Sequence, residues 1–229
     1  MIDLHTHSRA SDGSFTPGEL IAHASSQGVS VLALTDHDTV EGNEEASQAA
    51  VAAGIRFIPG IELDIEWRPG ECHVLGLGLI NTNPDLVNLL IRLQEGRLTR
   101  NTAIVEKMKE AGIDIDLSRV EAIAEIRASG GVPILAHPLS LYVSWGSLPG
   151  LIQDFRDKGI AGLEAWHPGA RIAECERLEK LAHSLGMCVT AGSDFHGAAR
   201  PDRKIGKTAG QRVIDDKYFF EGLAQLLES

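Results

Sequence analysis

The chain is 229 residues long, 43% hydrophobic and only 5% aromatic, with 24 glycines, a balance that suits a core of Val, Ile, Leu and Ala in an α/β protein better than an aromatic-rich β-sandwich. Its formal net charge of -11 argues against tight, sequence-blind binding to long nucleic acid, which relies on a basic surface. No run approaches the roughly 18 apolar residues of a membrane span, the N-terminus lacks the basic-then-apolar pattern of a leader, and Cys72, Cys175 and Cys188 form no C-x-x-C pair, so a cytoplasmic chain with free thiols is expected.

Strands and helices alternate. A short apolar strand, Ile2 to His7, leads to a turn with Asp12 and Gly13. Thr16, Pro17 and Glu19 then supply the N-cap, N1 and N3 residues of a helix over Pro17 to Gln27. A strand over Val29 to Thr35 and a helix over Thr39 to Ala53 follow, with Gly28 and Gly54 as helix stops. The next two strands, Ile55 to Trp67 and Cys72 to Leu79, are separated only by Arg68, Pro69, Gly70 and Glu71. A parallel crossover needs about a dozen residues, so these two strands are expected to form an antiparallel hairpin. His73 would then open the fourth strand at the end where the third delivers Glu62. An even number of helices must return the chain for an upward fifth strand, and two are read, Asn83 to Ala111 and Leu117 to Ser129. Strands Val132 to His137, Ile160 to His167 and Met187 to Asp194 alternate with helices Ser147 to Lys158, Ala170 to Leu185 and Asp216 to Leu227. Seven strands with helices between them describe an α/β protein, one barrel domain over residues 1–229.

Seven of the nine histidines fall at or near strand ends: His5, His7, His37, His73, His137, His167 and His196. His23 and His183 lie within helices and are read as surface or helix-flank residues. Carboxylates accompany the strand-end set: Asp12, Asp36, Asp38, Glu62, Glu164 and Asp194. Singly, each piece is ordinary; Thr35-Asp36-His37-Asp38 is a strand end with an N-cap, and Ala136-His137-Pro138 a proline turn. In a barrel, however, the loops after the strands gather at one rim, and imidazoles with carboxylates suit zinc, iron or manganese. The recurrence points to a site for several metal ions. Such ions reverse the local field, so the acidic average does not exclude a small phosphorylated substrate.

H-x-H-x-x-x-x-D-G at the start, then T-D-H-D, P-G-I-E, the histidine opening the next strand, A-H-P and G-S-D-F-H-G, in this order, resemble the polymerase-and-histidinol-phosphatase (PHP) family of metal-dependent phosphoesterases. The likeness covers nearly the whole chain. It is strongest to the bacterial branch of nucleoside 3',5'-bisphosphate phosphatases and 5'-to-3' oligoribonucleotide exonucleases. It implies a distorted seven-stranded TIM-like barrel and two or three divalent ions (Mn, Fe or Zn). One ion would be held by His5, His7, Glu62 and Asp194, a second by bridging Glu62 with His73 and His137, a third by Asp12, His37 and His196. The chemistry implied is attack of a metal-activated hydroxide on a phosphate monoester or terminal phosphodiester. The substrate would be a nucleotide, such as a 3',5'-bisphosphate, or a short oligonucleotide. Glu62 and Asp194 would be catalytically essential, and His167 resembles the histidine that faces the substrate phosphate, for binding or proton donation. Relatives carry a capping insertion between the fourth and fifth strands; here residues 83–129 supply only the helical pair. Arg97 and Arg100 stand where relatives place substrate-binding arginines, and Arg200, with Arg203, follows the last metal loop. Histidinol-phosphate phosphatase and a non-catalytic metal-binding module are the alternatives. An amidohydrolase fits less well, because no strand-end lysine is placed to bridge two metals.

Overall fold

The computed structural model describes residues 1–65, 67, 70–103 and 118–228, with 94–103 and 118–120 described by backbone alone. Seven strands form one sheet in chain order: β1 (Ile2–Asp3), β2 (Val31–Leu34), β3 (Arg56–Ile65), β4 (Cys72–Leu77), β5 (Val132–Leu135), β6 (Gly162–Trp166) and β7 (Cys188–Ala191). The sheet nearly closes into a barrel, because beyond their ladders the ends of β1 and β7 meet. His7 N–H donates to Phe195 O and Asp194 N–H to His5 O, both at 2.9 Å, around a Thr6–Phe195 bridge. The expected first strand is thus interrupted: Ile2–Asp3 pairs with β2, and beyond Leu4 the segment His5 to His7 lies between Thr35, whose N–H donates to Thr6 O at 2.9 Å, and the last strand's extension.

The hairpin expectation holds. β3 and β4 are antiparallel, with Glu62 opposite Leu75 and Asp64 opposite His73, and β4 is also antiparallel to β5. Two helices between β4 and β5 are described, α3 (Pro84–Ala103) and α4 (Ser118–Ala128), as the return of the chain to the bottom of β5 requires.

The remaining helices are α1 (Pro17–Ser26), α2 (Gly42–Ala53), α5 (Leu148–Asp157), α6 (Ile172–Ser184) and α7 (Ala224–Leu227). Thr16 accepts from Glu19 N–H at 3.2 Å and Glu19 Oε2 accepts from Thr16 N–H at 2.8 Å, the reciprocal box that starts α1. α2 ends at Gly54 in the left-handed conformation, φ 67°. The last expected helix begins instead with a wide π turn over Phe219–Leu223. There Gly222 brings the backbone against Cys188 of β7, where an added Cβ would lie 2.9 Å from Sγ.

Fully buried Ile2, Leu63, Val74, Leu77, Ile134 and Leu163 fill the main core, as the run of apolar residues in interior strands leads one to expect. A smaller core joins α1 and α2 to β2 through Leu20, Ile21, Leu32, Leu34 and Ala46. No helix among the described residues is long and apolar enough to cross a membrane.

Candidate metal centre

The exit of β1 sets the first two imidazoles. Thr6 Oγ1 turns away to donate to Ala33 O at 2.6 Å, so His5 and His7 share the opposite side of the chain with ring centroids 5.1 Å apart. Asp3 braces the crossing point from below: it accepts from Ser193 N–H, Ser193 Oγ and Gly206 N–H at 2.6–2.9 Å. Asp36 does the same for the loop after β1, accepting from Ser8 N–H, Ser8 Oγ and Ser11 Oγ.

Glu62, on β3 and 1% exposed, lies at the centre. Its Oε2 is 3.1 Å from His5 Nε2 and 3.2 Å from His7 Nε2; its Oε1 is 2.8 Å from His73 Nδ1 and 3.1 Å from His137 Nε2. Asp194 Oδ1 stands 3.7 and 3.5 Å from the same nitrogens of His5 and His7. On the outer side, Asp12 lies 3.2 Å from His196 Nε2 and 3.9 Å from His37 Nε2. All nine residues expected as ligands therefore converge. Donor atoms in four sets lie close enough together to hold an ion: His5, His7 and Asp194; His5, Glu62 and His137; His37, Glu62 and His73; and His7, Asp12, His37 and His196.

Hydrogen bonds outside the cluster fix the tautomers. His5 Nδ1 meets the acceptor-only carboxylate of Glu164 at 3.0 Å, so it must donate. His196 Nδ1 likewise donates to Asp194 O at 2.8 Å. Ser140 Oγ donates to Glu71 O, which leaves it to accept from His137 Nδ1 at 2.9 Å. Each of these rings in its neutral form therefore aims an Nε2 lone pair inward, and for His5 and His137 that lone pair faces the carboxylate of Glu62. Lone pairs against a carboxylate repel unless a cation stands between them. Nδ1 of His7 is buried with no hydrogen-bond partner, and Nδ1 of His37 faces carboxylate oxygens of Asp64 and Glu62 at 3.3 and 3.4 Å. The donor set fits divalent metal ions, with Glu164 and the Asp194 carbonyl orienting imidazoles as outer partners of metal sites do.

Without metal, protons take that role. Burial alone would lower the pKa of His73, but Glu62 and Asp64 push it up to about 10; burial also opposes His5, which Glu62 and Glu164 hold well above the usual value. Burial would raise Glu62, yet His5, His37 and His73 keep its carboxyl well below the carboxylate range. Two of the site's residues hold strained backbone: His137 has φ 24° and Asp194 φ 53°, the left-handed region that non-glycine residues seldom occupy. The cluster floors an open cavity of about 810 Å³, lined also by His167, Arg171, Arg200 and Arg203.

The PHP domain matches residues 3–121 of this chain. The chain belongs to the PHP family. The 5'-3' exoribonuclease of Haemophilus influenzae is 32% identical to it, covering 85% of this chain and 89% of the relative. The 3',5'-nucleoside bisphosphate phosphatase of Chromobacterium violaceum is 29% identical over 90% of this chain and 91% of its own. That alignment runs over 259 residues, more than the 229 here, so the phosphatase carries residues with no counterpart in this chain. Among solved structures, an amidohydrolase from Chromobacterium violaceum with bound sulfate and no metal superimposes with a TM-score of 0.79 at 28% identity, covering 92% of each chain. This PHP chain is an enzyme, a metal-dependent phosphoesterase.

Beyond the PHP ligand pattern, His167 lies against the cluster with Nε2 3.3 Å from Asp194 Oδ2. Arg200 Nη1 is 2.8 Å from the same oxygen, and Arg203, 12% exposed, is 3.9 Å from it. The side chains of Arg97 and Arg100 lie outside the described residues. His183 is exposed on α6, and His23 is half-buried on α1 between Phe15 and Phe195. Asp64 does not stand out in the sequence. Its Oδ1 lies 2.9 Å from His73 Nε2 and 3.3 Å from His37 Nδ1. The signal is present all the same, since Glu62 and Asp64 are two apart on one strand and point to one face. Asp3 and the orienting role of Glu164 are hidden because their partners are distant in sequence.

Proposed function

We propose that this enzyme hydrolyses a phosphate monoester, or the terminal phosphodiester, of a nucleotide 3',5'-bisphosphate or a short oligonucleotide in the cytoplasm. The observation that carries the reading is the convergence of six imidazoles and the carboxylates of Asp12, Glu62 and Asp194 on one open cavity. His5, His7, Glu62 and Asp194 would hold one Mn, Fe or Zn ion, Glu62 with His73 and His137 a second, and Asp12, His37 and His196 a third. When bound, such ions lower the pKa of water and neutralise charge on phosphate oxygens.

The chain's own residues do the rest. Glu62 holds both halves of the cluster together through its two oxygens. His167 Nδ1 accepts from Gly169 N–H at 3.0 Å, so a neutral ring carries its proton on Nε2, beside Asp194. Burial, only partly offset by Asp194, lowers its pKa and keeps the ring neutral. From there Nε2–H can donate a hydrogen bond to a phosphate oxygen, while proton transfer to a leaving group would require the imidazolium form. Arg200 presents a guanidinium beside Asp194, and that fork takes phosphate bidentately. The names of the two relatives, a bisphosphate phosphatase and an exoribonuclease, support a nucleotide substrate.

Phosphate release by manganese-loaded protein from adenosine 3',5'-bisphosphate is measured beside 3'-AMP, 5'-AMP, histidinol phosphate and a short 5'-phosphorylated RNA. The bisphosphate or the RNA is expected to lead; preference for histidinol phosphate would overturn the substrate assignment. Glu62→Ala and Asp194→Ala are expected to lose turnover and bound metal together, as read by elemental analysis. Full activity in metal-stripped protein would sink the mechanism.

A further inference from the structure

A second groove, of about 830 Å³, lies across the rim from the metal centre. Its walls are the reverse sides of the two loops that carry Asp12 and His196, together with α1. Phe15, His23 and Phe195 pack as a ring cluster in it, with centroids 5.3–5.8 Å apart. Phe195 is buried, but Phe15 and His23 are only half-buried, so aromatic surface remains open to the groove.

Charge around the groove is opposite to that of the chain as a whole. Arg9, Arg203, Lys204 and Lys207 line it against one carboxylate, Glu19, and that carboxylate is already engaged by the Thr16 N–H. In a chain of net charge -11 this is a local basic field on aromatic ground. Arg203 lines both cavities; it lies between Asp194 at 3.9 Å and Asp202 at 3.4 Å and links the metal cavity to the groove that Lys204 and Lys207 line.

We propose that this groove is the track for the downstream nucleotides of a single-stranded oligonucleotide whose terminal phosphate sits at the metal centre. Unpaired bases stack on aromatic rings while cations follow the phosphates, the combination by which single strands are held without sequence preference. The acidic average of the chain is no obstacle, because a strand responds to the potential along its path. On this proposal a mononucleotide bisphosphate held at the metal centre leaves Lys204 and Lys207 uncontacted. The inference rests on the phosphoesterase reading above and narrows its substrate to short single strands.

The test compares manganese-loaded wild type with the double variant Lys204→Gln/Lys207→Gln, on a 5'-phosphorylated hexaribonucleotide and on adenosine 3',5'-bisphosphate, at several salt concentrations. For the hexamer kcat/KM is expected to fall about tenfold through KM. The slope of log(kcat/KM) against log salt is expected to become shallower by about 1.4, or about 0.7 for each single-strand phosphate that a lysine no longer neutralises. For the bisphosphate no change is expected. Equal losses on both substrates, or none on the hexamer, overturn the proposal. Should wild type turn over neither substrate, the phosphoesterase reading fails separately. The groove is then decided by fluorescence anisotropy of the labelled hexamer: weaker binding by the variant upholds it, and equal binding overturns it.

Discussion

Asp64 shows how much one carboxylate can decide. Where His5, His137 and His196 direct Nδ1 outward, His73 is turned the other way, with Nδ1 toward Glu62 and Nε2 toward Asp64. A carboxylate at Nε2 keeps the proton there and frees Nδ1 as a donor toward the cluster, the arrangement by which outer carboxylates tune metal-binding imidazoles. Asp64→Asn keeps the size and removes the charge. It is expected to weaken metal binding about 10- to 100-fold while the far-ultraviolet circular dichroism is unchanged. Metal titration against a competing chelator reads the effect, and wild-type affinity in the variant would show that His73 is oriented without Asp64.

The elements hold the site through close backbone approaches as well as through the bracing side chains of Asp3, Asp36 and Glu164. Gly192, at the end of β7, passes directly under His5: a Cβ there would lie 2.3 Å from His5 Cβ and 2.7 Å from Glu164 Oε1. Gly192→Ala is expected to cost about 1–3 kcal/mol, the range for overpacking a filled interior, and to lower metal content, because His5 is displaced. The capping box of α1 gives the contrasting case. Thr16→Ala removes the acceptor of Glu19 N–H and is expected to cost about 1 kcal/mol with metal content intact. Urea denaturation and elemental analysis of the two variants separate a loss at the site from a loss at an element's end. Equal metal loss in both would contradict this division.

At the scale of the whole molecule, the centre makes stability depend on pH and metal together. His73, raised to about 10 in the metal-free fold, has a folded pKa above its unfolded value near 6.5. Its stabilising contribution is therefore complete below about pH 6.5 and lost as pH rises through about 10. His5 and His37, also raised by neighbouring carboxylates against the effect of burial, act in the same direction. Metal-stripped protein is expected to be less stable at pH 9.5 than at pH 6.5, and manganese-loaded protein to lose far less, since the ions replace those protons. Metal loading is likewise expected to release protons and to tighten with pH. Guanidinium melts at the two pH values and calorimetry in buffers of different ionisation enthalpy read both effects. Metal-stripped protein that gains stability toward pH 9.5 would contradict them.

Much of this architecture is legible along the chain, for a local reason. The six residues between β3 and β4 leave no room for a crossover, so the hairpin, the downward β4 and the meeting of His73 with the third strand's end follow from chain length alone. The i, i+2 spacing of His5 and His7, and strand-end histidines and carboxylates in a repeating α/β pattern, announce a metal centre before any coordinate is known. What only the tertiary structure decides is pairing between distant residues. That Glu164 orients His5, that Asp3 ties Ser193 and Gly206 beneath the site, and that Asp64 turns His73 depend on the shear and closure of the barrel, which no local pattern encodes. The groove beside the rim is of the same kind. Phe15, His23 and Phe195 belong to a loop, a helix and a strand extension, and closure of β1 on β7 brings them together. Chemistry that needs particular residue types can be read in sequence; orientation, which needs particular neighbours, is settled only when the strands meet.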